Sequence, residues 1–224
     1  MREQAELPTD PELVARLRAR DDAAFALVLD AWSGGMARVA RSIVSTYASA
    51  DEVVQDAWLA VIQGVVRFEG QSSLKTWVYR ILVNTAKRRA LREGRQISWS
   101  PVAGEDDAPT VDPARFGGPG DRFPGHWLEF PAPWPSPEQD MLAGEVYARV
   151  EAALAELPER QRVVITLRDV EGYSSDEVCS ILEISAANQR VLLHRARAFV
   201  RGKLEEYFEA SASDVGTEVS QWRT

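Results

Sequence analysis

The stretch Ser72-Ser-Leu-Lys-Thr-Trp-Val-Tyr-Arg-Ile-Leu-Val-Asn-Thr-Ala-Lys-Arg-Arg-Ala-Leu-Arg-Glu-Gly-Arg95 decides the reading of the chain. Trp77, Ile81 and Leu82 recur at the spacing of a helix face, while Lys87, Arg88, Arg89, Arg92 and Arg95 load its second half with positive charge. Trp77 and Tyr79 offer flat rings at the other end. Such a helix suits a DNA strand, because cations neutralise phosphates and rings stack on unpaired bases at about 1–3 kcal/mol per base. The competing reading is a solvated helix whose Lys and Arg favour its own C-terminus.

Working outward, helix-start signals recur on both sides. Thr9-Asp-Pro-Glu12, Ser49-Ala-Asp-Glu52, Ser136-Pro-Glu-Gln139 and Ser174-Ser-Asp-Glu177 all have a capping-box pattern, a hydroxyl followed three residues on by Glu or Gln. Between them the apolar spacing is helical: Leu13, Leu17 and Phe25 to Leu29; Val54, Trp58, Val61 and Val65; Val146, Val150, Leu154 and Leu157. No period-two strand stands out, so the expected fold is all-α.

Residues 96–135 break this pattern. Pro101, Pro109, Pro113, Pro119, Pro124, Pro131, Pro133 and Pro135 forbid a long helix there. A long acidic connection of this kind is expected to be an interdomain linker. Its aromatics, Phe116, Phe123, Trp127, Phe130 and Trp134, are expected to dock on the chain's own domains or on a partner. The expected organisation is therefore a domain over 1–95, the linker over 96–135, a second helical domain over 136–208 and a frayed tail over 209–224.

Composition narrows the function classes. The 224 residues carry a formal charge of −8, which argues against indiscriminate coating of nucleic acid. Positive charge is local, between Lys87 and Arg95 and between Arg190 and Lys203, as suits directed or partner-dependent binding. One cysteine, Cys179, and two histidines, His126 and His194, provide neither a disulfide nor a metal-ligand cluster. Cys179 lies in an apolar helical pattern and is expected to be packed. The first residues lack the apolar stretch of a signal peptide, and no apolar run approaches membrane-spanning length, so the expected location is the cytoplasm. Paired metal-binding carboxylates, a phosphate-binding Gly loop and a nucleophile–base pair are missing from the sequence, which argues against an enzyme.

Ser174 to Arg201 fits a helix-turn-helix. Ser174 caps a short helix with Val178, Ile181 and Leu182 inward; Glu183-Ile184 turns; Ser185 caps a second helix. Early residues of such a second helix meet base edges in the major groove. Here those are Ala186, Ala187, Asn188, Gln189 and Arg190. Asn and Gln pair with adenine and Arg with guanine, each worth about 1–3 kcal/mol of discrimination. His194, Arg195, Arg197 and Arg201 suit phosphate contacts, while Val191, Leu192, Ala198 and Val200 are expected in the core. A plain helical hairpin with a basic face is the alternative.

Together these segments resemble the extracytoplasmic-function group of bacterial sigma factors. The resemblance rests on Ala50-Asp-Glu-Val-Val-Gln-Asp-Ala-Trp-Leu59, on Arg67-Phe-Glu-Gly-Gln-Ser-Ser-Leu-Lys-Thr-Trp-Val-Tyr-Arg-Ile-Leu-Val-Asn-Thr-Ala-Lys87, and on Leu157-Pro-Glu-Arg-Gln-Arg-Val-Val through His194-Arg-Ala-Arg197, in that order. It implies a promoter-specificity subunit without catalytic residues or cofactor. Its sigma domain two would bind a β′ clamp coiled coil of core RNA polymerase and open the −10 element. Its sigma domain four would read the −35 element near the β flap. The resemblance carries polymerase binding onto Asp51, Glu52, Gln55 and Asp56; at helical spacing Glu52, Gln55, Asp56 and Leu59 fall on one face. It carries capture of an unstacked −10 base onto Phe68, Gly70, Ser72 and Ser73, followed by Lys75, Trp77, Asn84, Lys87 and Arg88. Trp77 has two readings open to it, a stacking face or core packing. The −35 set becomes Ser185, Ala186, Ala187, Asn188, Gln189, Arg190, His194, Arg195 and Arg197.

The resemblance also implies that the linker threads the RNA exit path, and that an anti-sigma partner, often membrane-linked, controls the protein. Two departures bear on −35 preference. Asn188-Gln189-Arg190-Val191-Leu192 stands where Thr-Val-Lys-Ser-Arg is commoner, and Glu183 stands where the turn often carries Gly. A stand-alone helix-turn-helix regulator, dimeric and tight-binding without polymerase, is the rival function.

Overall fold

The computed structural model describes residues 7–95 and 140–221, with side-chain environments for 7–95 and 144–208. Every regular element among the described residues is helical: α1 (Asp10–Arg18), α2 (Asp22–Arg41), α3 (Tyr47–Gly64), α4 (Leu74–Arg92), α5 (Asp140–Glu156), α6 (Glu159–Ile165), α7 (Ser175–Leu182) and α8 (Ala186–Gln221). A 3₁₀ turn over Val65–Arg67 follows α3, and a π-helical turn over Thr166–Val170 extends α6.

The capping chemistry places most of these starts. Asp21 accepts from the Ala23 and Ala24 amides at 2.9 and 3.1 Å and opens α2; Ser73 accepts from Thr76 and opens α4. Ser174 and Glu177 form the reciprocal capping box at α7. Two starts differ from the sequence expectation. Thr9 makes no side-chain cap on α1. The cap of α3 is Thr46, not Ser49, with the Thr46 hydroxyl accepting from the Ser49 amide. The pattern at Ser136 lies outside the described residues, as does the linker over 96–135. At the C-terminal end, α8 continues through 209–221, where fraying was expected; no proline interrupts it before Gln221.

Contacts divide the chain into two compact units, Met1–Pro101 with Val163–Gln189, and Val102–Arg162 with Arg190–Thr224. These units cut across the expected domains, because residues 163–189 pack with α2 and α4. In the first unit the apolar faces of α1 to α4 meet at Leu13, Leu17, Val28, Met36, Val39, Val61, Val78 and Leu82, all nearly inaccessible to water. Burial of each such side chain stabilises the unit by about 1.5–3 kcal/mol. Trp32 and Trp58 stack at 6.5 Å between centroids, and the Trp58 indole N–H donates to Ser33. The α3 stripe runs through Val53, Ala57, Trp58, Val61 and Val65; Trp58, Val61 and Val65 lie on the expected face, while Val53 is buried there in place of the half-buried Val54. In the second unit Val146, Val150 and Leu154 are half-buried and Leu157 buried, as their spacing foretold. Glu145 accepts from the Tyr207 hydroxyl, and Glu156 pairs with Lys203 at 2.7 Å.

The C-terminal end of α4 is tied back to the start of α3. Arg89 pairs with Glu52 at 2.5 Å and with Glu93 at 2.9 Å. The Ser49 hydroxyl holds the Glu93 carboxyl down to about 2; partial burial opposes it, and Arg89 and Ser45 add to it. A carboxyl lowered on folding contributes stability above its unfolded pKa, and that contribution disappears as pH falls from about 4.5 towards 2. Glu93→Gln is therefore expected to destabilise the chain in urea titrations near neutral pH, and the difference from the parent chain to shrink by about pH 3.

Candidate nucleic-acid interface

The loop between the 3₁₀ turn and α4 carries the residues assigned to base capture. Gly70 has φ 74°, a conformation that favours glycine. A groove of about 470 Å³ opens beside this loop, with Pro11, Val14 and Arg18 of α1 on one wall and Phe68, Gly70 and Ser73 on the other. Phe68 is 8% exposed, and its ring meets Trp77 at 5.2 Å between centroids, tilted by 52°. Trp77 also presses on Gly64, where an added methyl would come within 3.2 Å of the ring. Trp77 is thus half-buried and packed on one side. Ser72 donates to the Ser73 carbonyl, Asn84 is half-buried, and Arg88 is exposed with its Nε on the Asn84 carbonyl.

Tyr79 does not offer a stacking face. It is 1% exposed, and its ring packs at 5.0 Å on Tyr173. Burial raises both phenols well above the ordinary tyrosine range. The reason is that α4 buries a second face, against the segment leading into α7. Lys75 stands 4.9 Å over the Tyr173 ring, a cation–π contact. The Thr76 hydroxyl donates to Glu177 at 3.1 Å, and Arg80 donates twice to Glu183, at 2.8 and 3.1 Å. Lys87 reaches the Leu182 carbonyl at 3.4 Å, at the negative end of α7; burial lowers its pKa. On α2, Arg38 pairs with Glu171 at 2.7 Å, and that bond raises the arginine's pKa. In this conformation the cations of α4 at Lys75, Arg80 and Lys87 are occupied by Tyr173 and by the first helix and turn of the helix-turn-helix.

Glu183 explains one departure from the expected turn. It caps α7 in the left-handed conformation, φ 60° and ψ 45°, which costs a non-glycine residue about 1–2 kcal/mol. Glycine would relieve that cost but would remove the carboxylate that holds Arg80.

The assigned −35 residues are not equivalent. Ser185 caps α8 by accepting from the Asn188 amide at 3.2 Å. Ala186, Ala187 and Arg190 are exposed and Asn188 is half-buried. Gln189 is 1% exposed, and its carbonyl accepts from the Ser175 hydroxyl at 3.0 Å; it joins the turn rather than presenting its amide to solvent. Conversely Val191, expected in the core, is 46% exposed. Arg190, His194, Arg197 and Arg201 line a groove of about 310 Å³ with Leu193 and Ala198, and Arg195 is half-buried. Cys179 is half-buried too.

Along α3, Asp51, Glu52, Gln55 and Asp56 are all exposed, with Glu52 paired to Arg89. The same face continues through Leu59, Ile62 and Val66, exposed by 56%, 47% and 66%. Ile62 and Val66 were missed in the sequence, although the period that placed Leu59 reaches them. Among the described residues no group of His, Cys, Asp and Glu could hold a metal ion, and no helix is long and apolar enough to cross a membrane.

A grooved loop leading into the basic helix α4, and a separate helix-turn-helix, define a helical protein with two elements whose charge and shape suit nucleic acid. Residues 29–96 match Sigma-70 region 2, and residues 147–200 match Sigma-70 region 4. The RNA polymerase sigma-H factor of Pseudomonas aeruginosa is 30% identical over 88% of this chain and 94% of its own length. The ECF RNA polymerase sigma-E factor of Escherichia coli K12 is 30% identical over 88% and 95%. Among solved structures, CnrH in complex with the cytosolic domain of CnrY covers 89% of this chain and 99% of its own, with TM-score 0.57 and 22% identity. The sigma factor RpoE with the anti-sigma factor NepR from Bartonella quintana covers 81% and 96%, with TM-score 0.53 and 23% identity; both share the fold. The chain belongs to the extracytoplasmic-function family of RNA polymerase sigma factors, and its function is promoter-specific initiation of transcription.

Proposed function

We propose that the two matched regions divide the promoter between them, and that neither performs chemistry. In this reading the loop 68–73 and α4 capture and hold the opened −10 strand, through Phe68, Gly70, Ser72, Ser73, Lys75, Trp77, Asn84, Lys87 and Arg88. Trapping an unstacked base offsets the few kcal/mol that flipping costs, so melting needs no nucleotide hydrolysis. At the −35 element the contacts come from Ser185, Ala186, Ala187, Asn188 and Arg190, with His194, Arg195 and Arg197 on phosphates; Gln189 supports the turn from beneath. The exposed α3 face, from Asp51 and Glu52 through Gln55 and Asp56, docks on the β′ coiled coil of core polymerase. A cytoplasmic site of action follows from that partner. An anti-sigma protein is the expected regulator, in line with the partnered state of the structural relative from Bartonella quintana.

The observation that carries this reading is the order of the basic helix α4 and the capped helix-turn-helix within a chain of net charge −8. An acidic body does not hold DNA by charge alone, so productive binding is expected only on polymerase. The test adds the purified chain to core polymerase on templates taken upstream of transcript starts mapped after its overexpression. Promoter-dependent transcripts are expected with core and none without it. A chain that ignores core polymerase yet binds its operator tightly as a dimer would instead be a stand-alone regulator.

A further inference from the structure

Both ends of the loop that carries the capture residues are tied to α1. At the entry, Arg18 donates from Nε to the Val65 carbonyl at 3.2 Å and from Nη2 to the Phe68 carbonyl at 2.5 Å. At the exit, the Asp10 carboxylate accepts from the Leu74 amide at 2.7 Å. Leu74 is the first residue of α4, so its amide is one that the helix itself leaves unpaired. Asp10 therefore satisfies a free donor and places negative charge at the positive end of α4. The loop between these anchors makes few bonds of its own: Gln71 to Glu69 at 3.0 Å, and Ser72 to its neighbour's carbonyl. Its shape depends on its ends. Asp10 and Arg18 also line the groove that the loop faces, and α1 lies outside residues 29–96 matched to Sigma-70 region 2.

We propose that Asp10 and Arg18 are positioning residues for base capture, holding the loop 68–73 open in the shape that receives an unstacked −10 base. The proposal rests on the base-capture reading of that loop. Preorganisation is the physical reason: a loop that must be ordered when the base arrives loses affinity by the cost of ordering it. A hydrogen bond to a charged side chain, lost from each anchor, is expected to cost about tenfold in capture.

The test uses the chain assembled with core polymerase and fluorescent single-stranded −10 oligonucleotides, each position made abasic in turn. The readout is the ratio of affinity with the base to affinity without it, at the position where that ratio is largest. Asp10→Ala and Arg18→Gln are expected to reduce this ratio about tenfold. Asp10→Asn, whose side-chain oxygen still accepts from the Leu74 amide, is expected to restore most of it. A purely structural role would lower the melting temperature and both affinities together, leaving the ratio unchanged. Gly70→Val, which disturbs the loop directly, separates the two claims. If it lowers the ratio while Asp10→Ala and Arg18→Gln do not, the role of α1 is overturned. If it too leaves the ratio unchanged, the loop is not the capture site and the proposal falls with that reading.

Discussion

Gly35→Ala is expected to raise the affinity of the polymerase-free chain for a single-stranded −10 oligonucleotide, by about tenfold if the closed packing of α7 on α4 is favoured by about 1.4 kcal/mol. Gly35 lies on α2 where a methyl group would overlap the Glu171 carboxylate and the Tyr79 hydroxyl. Neither neighbour has room to retreat, because Tyr79 is 1% exposed and the Glu171 side chain 7%. Displacing Glu171 breaks its pair with Arg38 and pushes on the Tyr79–Tyr173 contact, which releases Lys75 and Arg80 to meet phosphates. The substitution has a second effect of opposite kind. Alanine replaces glycine inside a long helix, a gain of about 0.5–1 kcal/mol for α2 itself. The helix gain offsets most of the packing lost, so tighter DNA binding with only a small fall in melting temperature is the signature, read by fluorescence anisotropy and thermal unfolding. Glu183→Gly acts on the other side of the same packing. It removes an ion pair whose side chains are 50% and 53% exposed, worth at most about 1 kcal/mol, and relieves left-handed strain of comparable size. Its stability should barely move while its DNA affinity rises. Unchanged affinity in both variants would mean that the packing does not limit access to α4.

The same packing marks where the sequence stops being legible. Local signals were readable because they need only neighbours: the capping box at Ser174 and Glu177, the cap at Ser185, and the period of α5. Tyr79 was misread as a stacking ring because periodicity reports one buried face, and α4 has two. Nothing in the spacing of Arg80 announces Glu183, which lies 103 residues away. Gln189 looked like a base reader by residue type, yet a hydroxyl from the preceding helix claims its carbonyl. The role of Arg18 left no trace either, since its partners are backbone carbonyls, which every residue type supplies. By contrast Ile62 and Val66 were recoverable; extending the face that held Glu52, Gln55, Asp56 and Leu59 by two more turns would have found them.

That α3 face supports the second large effect. Leu59→Glu, and separately Ile62→Glu, are each expected to weaken binding to core polymerase by about thirtyfold or more, whereas Glu52→Ala is expected to change it only a few-fold. The contrast follows from how interface energy distributes. Apolar side chains near the centre of a patch lose water fully on docking and account for about 2 kcal/mol or more each when disrupted, while rim charges contribute mainly to encounter rate and partner choice. Leu59 and Ile62 sit between the acidic residues and Val66, and are already 56% and 47% exposed, so replacing them removes little from the folded core. Glu52 already has a partner in Arg89 at 2.5 Å, so part of its charge is committed within the chain before polymerase arrives. Dissociation constants at low and physiological salt separate the two contributions. The loss at Leu59 should persist as salt rises, and the loss at Glu52 and Asp56 should fade, because exposed charges are screened beyond about 8–10 Å. If the ranking is reversed, with the acidic residues dominant at physiological salt and Leu59→Glu neutral, then the polymerase is held by charge alone and the apolar continuation of α3 serves no part in the docking.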